Sequence, residues 1–164
     1  MSFYIDPDDP KFKTHITNLQ QTPGYCFFFD IVGSTELQDE NLSKWILFIY
    51  NTFANIRSYL FLKFRPLKSL GDGLLFFIPE SDMNGETPLI LFNSLCEIIN
   101  STEPYLRHVK IGAAYCNDAY DITFIKNAPD IYGKDIDLTA RLASLACSKE
   151  IRHNYKNQGL FERP

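Results

Sequence analysis

The sequence lacks any apolar stretch near the ~18 residues that would cross a bilayer. Its opening, Met1 to Pro10, has neither the basic start nor the apolar middle of a secretory leader. A membrane span and a leader are therefore not expected. It also lacks a long basic run, and its formal net charge is −4, which argues against a nucleic-acid groove. The four cysteines, Cys26, Cys96, Cys116 and Cys147, are scattered with no Cys-x-x-Cys pair. That pattern suits reduced thiols in a cytoplasm, buried as small apolar groups, rather than a disulfide framework or a zinc site. His15, His108 and His153 have no metal-ligand spacing, and Ser34 and Thr35 have no histidine partner, so serine-type nucleophilic catalysis is not expected. No internal repeat or low-complexity segment occurs.

What the chain does have is core-forming material. Its 164 residues are 45% apolar and 15% aromatic, enough for one globular domain with a real interior. Residues 1–23 are polar and proline-bearing and are expected to form an irregular N-terminal arm, with the folded domain over 24–164. Tyr25 to Val32 is a continuous apolar run, read as a central strand. Leu42, Trp45, Ile46, Ile49, Phe53, Ile56 and Leu60 recur at helical spacing over about Asn41–Leu60. Pro66–Leu70 and Leu74–Ile78 read as a hairpin around Gly71-Asp72-Gly73. A loop over Pro79–Pro88 leads to a second helix near Leu89–Asn100. Arg107–Cys116 and Tyr120–Ile125 read as a second hairpin turning at Asn117-Asp118. After a loop over Pro129–Gly133 comes a third helix, about Lys134–Ala146, and a last strand begins near Glu150. The order is an α+β, ferredoxin-like βαββαβ core with an extra strand and helix, giving one sheet with helices on one face.

Two aspartates stand where this chain must turn: Asp30 in Phe29-Asp30-Ile31-Val32-Gly33-Ser34-Thr35, and Asp72 in Lys68-Ser69-Leu70-Gly71-Asp72-Gly73. Carboxylates at strand ends suit a divalent ion carrying a polyphosphate, because Mg²⁺ and Mn²⁺ take a few carboxylates plus phosphate oxygens and waters. Side-by-side packing of the first strand and the hairpin would bring both to one edge. The Gly33-Ser34-Thr35 turn offers backbone N–H groups to phosphate. A second constellation runs from Asp130 through Gly133 and Asp137 to Arg141, with Asp137 and Arg141 four apart on one helix face. The apolar residues around them mark that helix as packed.

Taken in order, these segments resemble the class III nucleotidyl cyclases over roughly residues 25–152. Phe29 to Thr35 looks like their first metal-binding segment, and Lys68 to Asp72 like the hairpin with the second metal aspartate. Lys110-Ile111-Gly112 resembles a strand that usually reads Arg-x-Gly, and Asp130 to Arg141 resembles the loop and helix carrying base-reading and transition-state residues. The resemblance implies two ions, Mn²⁺ or Mg²⁺, held by Asp30, Asp72 and the Ile31 carbonyl. It implies base reading by Lys68 and Asp130, triphosphate contacts from Phe29, Gly33, Ser34 and Thr35, and charge stabilisation at the α-phosphate by Arg141. It further implies a homodimer with sites at the interface, each joining the aspartates of one subunit to the base pocket and Arg141 of the other. Asp137 stands where these enzymes normally carry asparagine, and no counterpart of their triphosphate lysine is found in Gln158–Pro164, as though the C-terminal strands were missing.

Lys68 as donor and Asp130 as acceptor suit adenine N1 with its 6-amino group, and equally cytosine N3 with its 4-amino group. The compact chain also resembles the pyrimidine cyclases of bacterial anti-phage defence (Pycsar type), which make cyclic UMP or cyclic CMP for a separate effector protein. That places UTP or CTP ahead of ATP as the expected substrate, with Tyr50 as a bulky residue able to narrow the base pocket. An adenylate cyclase and a non-catalytic cyclase-like nucleotide-binding module are the alternatives.

Overall fold

The computed structural model describes residues 3–60, 67–84 and 87–153. Alternation along one strand sets its architecture. In β2 (Gly24–Ile31), Tyr25, Phe27, Phe29 and Ile31 face one way, and Cys26, Phe28 and Asp30 the other. This strand is central. It pairs antiparallel with β4 (Gly73–Pro79) on one side and β5 (Val109–Cys116) on the other. An edge strand β3 (Lys68–Leu70) adds to β4, and β7 (Ile151–His153) joins β5 in parallel, so the order is β3-β4-β2-β5-β7. Gly71, in the β3–β4 turn, has φ +62, a left-handed conformation that glycine adopts without steric cost.

On the first face Phe27, Phe29, Phe76 and Ile111 pack against Ile56 and Leu60 of α3 (Leu42–Leu60) and against Leu91 and Leu95 of α4 (Thr87–Asn100). Phe29 and Phe76 meet edge to face at 5.4 Å between ring centroids. These two helices and the β2, β3, β4 and β5 strands form the expected ferredoxin-like unit. On the second face Cys26, Leu75, Cys116 and Ile131 pack against Ile136 of α5 (Lys134–Leu145). A Cβ at Gly112 would overlap the Thr139 carbonyl and the Ala143 amide, so α5 lies directly on β5. Helices thus cover both faces, correcting the one-face expectation. The physical reason is that β2 and β5 are apolar on both sides and need a layer on each.

Three further expectations change. Residues 1–23 are not wholly irregular: they include β1 (Phe3–Tyr4) and α1 (Phe12–Thr17), with Ile5 buried. The second hairpin does not form. After Cys116 the chain leaves the sheet, and β6 (Ile122–Thr123) pairs in parallel with β1. The turn after β2 continues into a short helix, α2 (Ser34–Glu40), entered through Gly33 at φ +76. Pro66, the expected start of the first hairpin, and Gln158–Pro164 lie outside the described residues. The third helix, near Lys134, and the last strand, near Glu150, form where expected.

The α3 pattern is only partly a core pattern. Ile49, Thr52, Ile56 and Leu60 are buried, whereas Leu42, Ile46, Leu47 and Tyr50 are each more than half exposed. Among the described residues no helix is long and apolar enough to cross a membrane. Cys26 and Cys116 are buried as expected, but Cys96 is half-buried and Cys147 exposed.

Candidate active site

Asp30 lies near the end of β2, level with Lys110 of β5. The Lys110 Nζ is 3.0 Å from Asp30 Oδ2, with the two side chains only 14% and 20% exposed. The other oxygen, Oδ1, accepts the Ile31 N–H at 3.0 Å. Both carboxylate oxygens are thereby engaged and the side chain is fixed. Asp72 is half-buried in the β3–β4 turn. The β2–β4 register ends at Phe29 with Leu74, which sets this turn level with the residues following Phe29. Asp30 and Asp72 therefore sit at the same end of the sheet, as the sequence suggested.

Among the described residues no group of three or more His, Cys, Asp or Glu comes together as a metal cage. The candidate donors, two carboxylates and the Ile31 carbonyl, are all hard oxygens, a set whose chemistry suits Mg²⁺ or Mn²⁺ with phosphate and water completing the shell. The Lys110 ammonium against Oδ2 shows that the position draws a cation. The residues present fit such an ion.

The neighbouring turn is partly committed to structure. Ser34 is buried and its Oγ accepts the Trp45 Nε1–H at 3.0 Å, so the hydroxyl is held by α3 while the backbone amides of the first helical turn have no partner within the helix. Thr35 is exposed. The Phe29 ring is in the core, leaving only its backbone for a ligand.

A second cluster forms beside α5. Lys68 opens β3, and its Nζ donates to Asp130 Oδ1, although the two residues are distant in sequence. That oxygen also accepts the Ile131 N–H at 2.8 Å. The pair borders a cleft of about 470 Å³ lined by Phe28, Lys68, Leu75, Ile131, Tyr132 and Asp137, among others. Burial, then the Asp130 charge, pushes the Tyr132 phenol up from its ordinary value. On its other side Lys68 borders a cleft of about 310 Å³ with Tyr50, Phe53, Arg57 and Leu74. Lys68 and Tyr50 therefore share a wall.

Asp137 and Arg141 are exposed on α5, while Ile136, Thr139 and Ala143 form its buried side. Among the described residues they make no ion pair with each other, so the surface pairing their spacing allows does not occur. Asp137 lies in the first turn, where a negative charge complements the helix dipole. Two neighbours received no site role from the sequence. Lys110 could have been noticed as a lone cation within an apolar strand. Tyr132 gave no signal beyond its place next to Asp130.

No protein-family model and no curated protein matches the chain. Solved structures do. The adenylyl cyclase CyaB from P. aeruginosa superimposes with a TM-score of 0.66 at 18% identity, over 84% of this chain and 79% of that one. An atypical dimeric guanylyl cyclase domain of the RhoGC fusion protein from the aquatic fungus Blastocladiella emersonii gives 0.65 at 14% identity, over 82% and 80%. The guanylate cyclase domain of RhGC from Catenaria anguillulae, solved with GTP, gives 0.64 at 14% identity, over 81% and 78%. With the strand order, the hairpin turn and the two-sided helix packing, these likenesses establish that the chain has the fold of the class III nucleotide cyclase catalytic domains.

Proposed function

We propose that the chain is a metal-dependent nucleotide cyclase converting a pyrimidine nucleoside triphosphate, UTP or CTP, into the 3′,5′-cyclic monophosphate and pyrophosphate. The product would act through a separate effector in anti-phage defence. The observation that carries this reading is the Lys68–Asp130 pair at the wall of the cleft, in a chain with a cyclase fold. A donor and an acceptor side by side match a base edge that offers one acceptor and one N–H donor, N3 and the 4-amino group of cytosine or O4 and N3–H of uracil. Tyr50 lines the second cleft, on the other side of Lys68, where its bulk would narrow a base site reached from that side.

Asp30, Asp72 and the Ile31 carbonyl would hold the metal. When bound, two divalent ions would lower the pKa of the ribose 3′-hydroxyl and neutralise triphosphate charge. The 3′-oxygen loses its proton and attacks the α-phosphorus in line; the bond from that phosphorus to the bridging oxygen breaks, and pyrophosphate leaves. Phe29 and the Gly33-Ser34-Thr35 turn would orient the phosphates through backbone amides. Arg141 would stabilise charge on the α-phosphate, and Asp137 would border the ribose. Arg141 is exposed and lacks an ion-pair partner among the described residues, and α3 exposes Leu42, Ile46, Leu47 and Tyr50. Both features support a homodimer in which Arg141 of one subunit completes the site of the other.

Adenylate cyclisation is the second reading, because adenine presents the same donor–acceptor edge and the P. aeruginosa neighbour is an adenylyl cyclase. The test is incubation of the purified protein with Mn²⁺ and ATP, GTP, CTP or UTP separately, with products resolved by mass. A cyclic pyrimidine nucleotide supports the first reading. Cyclic AMP alone replaces it with the second, and no product from any of the four identifies a non-catalytic module.

A further inference from the structure

The Lys110–Asp30 pair is unusual for its position. Opposite charges paired across two strands are common on a solvated face. Here the pair lies on the inner strands of a five-stranded sheet, on the face that α5 covers two residues further along, at Gly112. Lys110 is the one charged residue of a strand otherwise made of Val109, Ile111, Gly112, Ala113, Ala114, Tyr115 and Cys116. A largely buried ammonium is retained only where a negative partner offsets its lost hydration. Asp30 is that partner, and its geometry is not adaptable. Oδ1 is tied to the Ile31 amide, so Oδ2 is the oxygen left to meet a cation, and Lys110 Nζ sits on it at 3.0 Å.

We propose that Lys110 is the resident counter-ion of Asp30, and that a divalent ion gains Oδ2 only by displacing the Lys110 ammonium. This rests on the assignment of Asp30 as a metal ligand made above. Lys110 is then a residue that sets metal affinity: it holds the carboxylate fixed against the sheet, and it weakens the site for free metal. Two cations crowding one half-buried carboxylate oxygen repel each other, so metal and ammonium compete.

The test is direct binding of Mn²⁺ alone, without nucleotide, followed by the loss of the free-ion electron paramagnetic resonance signal and by the Mn²⁺-induced rise in Tm. Wild type is compared with Lys110→Met, Lys110→Arg and Asp30→Asn. Lys110→Met, a linear side chain without charge, should bind Mn²⁺ about tenfold tighter and show the larger Tm rise, because the competitor of a charge-assisted contact is gone. Lys110→Arg should bind more weakly than wild type, since a guanidinium is less strongly hydrated than an ammonium and gives up a half-buried carboxylate oxygen less readily. Asp30→Asn should lose the site. Circular dichroism establishes that each variant is folded, and if Lys110→Met is not, the Arg variant decides. Unchanged or weaker binding by Lys110→Met, or unchanged or tighter binding by Lys110→Arg, overturns the counter-ion role while a loss in Asp30→Asn leaves the metal assignment standing. Unchanged binding in Asp30→Asn overturns both.

Discussion

Lys68 and Asp130 lie 62 residues apart in the sequence, yet the first residue of β3 reaches the loop before α5 and the two side chains meet as a half-buried ion pair. Each satisfies the other, and a base edge reading both would replace a contact already present. Truncating one partner leaves the other partly buried and unpaired. Lys68→Ala and Asp130→Ala are each expected to raise KM for the preferred nucleotide about tenfold or more, and the double variant to cost less than the sum. Steady-state kinetics across the double-mutant cycle measures this. Strict additivity would show that the two residues do not act as one reading unit.

The sequence reached Lys68 and Asp130 only through the family resemblance, as residues at two base-reading positions; that they meet as an ion pair was not legible, because it depends on the fold. Nor was the placement of α5. Gly112 and Ala114 alternate with Ile111 and Ala113, so β5 reads as apolar throughout and gives no face on which to put a helix. The false second hairpin has a different cause. Asn117-Asp118 has turn chemistry, but Ile122–Thr123 is captured by Phe3–Tyr4, a pairing between distant segments that no local pattern encodes. On α3 the apolar repeat reports amphipathicity correctly but does not distinguish the core from a surface left open, as Leu42 and Ile46 are. Lys110 was noticed only as part of the Lys110-Ile111-Gly112 motif, and its pairing with Asp30 was missed because it depends on the register that puts Asp30 opposite it.

Asp72 is half-buried in a turn and makes no ion pair among the described residues, so its carboxylate supports no fold contact. Asp72→Ala should abolish turnover while moving Tm little. Asp30→Ala should abolish turnover too, but with a measurable loss of Tm, because Lys110 loses its partner. Product analysis beside thermal melts tests both. Full activity in either variant removes that carboxylate from the metal set.

Gly112 is held by backbone atoms on the far side, the Thr139 carbonyl and the Ala143 amide, which cannot rotate away as a side chain could. Gly112→Val should therefore lift α5 off the sheet and cost at least about 1–3 kcal/mol. Because α5 carries Asp137 and Arg141, activity should fall with it. Urea unfolding gives the stability change; a midpoint like that of wild type would mean the helix is not seated as described.

Stability should also fall at high pH for a specific reason. The Tyr115 hydroxyl donates to Glu80 Oε2 at 2.6 Å, and this bond, with burial, pushes its pKa up to about 12 from 10.0. A raised folded-state value means the folded chain holds its proton where the unfolded chain has released it. The contribution is complete below pH 10 and is lost as pH rises towards 12. Denaturant melts at pH 9 and pH 11.5 should show a decline in wild type that is smaller in Tyr115→Phe. Equal declines would assign the loss to other groups.

Arg141 offers the sharpest test of the dimer. Its side chain is exposed on α5, away from the buried Ile136, Thr139 and Ala143, so Arg141→Ala should leave the fold intact. In the proposed chemistry it should lower kcat strongly with a smaller effect on KM, because the guanidinium meets charge that develops only at the transition state. If each site joins Arg141 of one subunit to Asp30 and Asp72 of the other, two inactive variants can repair one another. A mixture of Asp72→Ala and Arg141→Ala subunits contains heterodimers in which one site has both residues intact and the other has neither. Random exchange makes half of the dimers mixed, each with one good site of two, so activity should recover to about one quarter of wild type. A monomeric enzyme, or a dimer whose sites each draw on a single chain, would show no recovery at any mixing ratio.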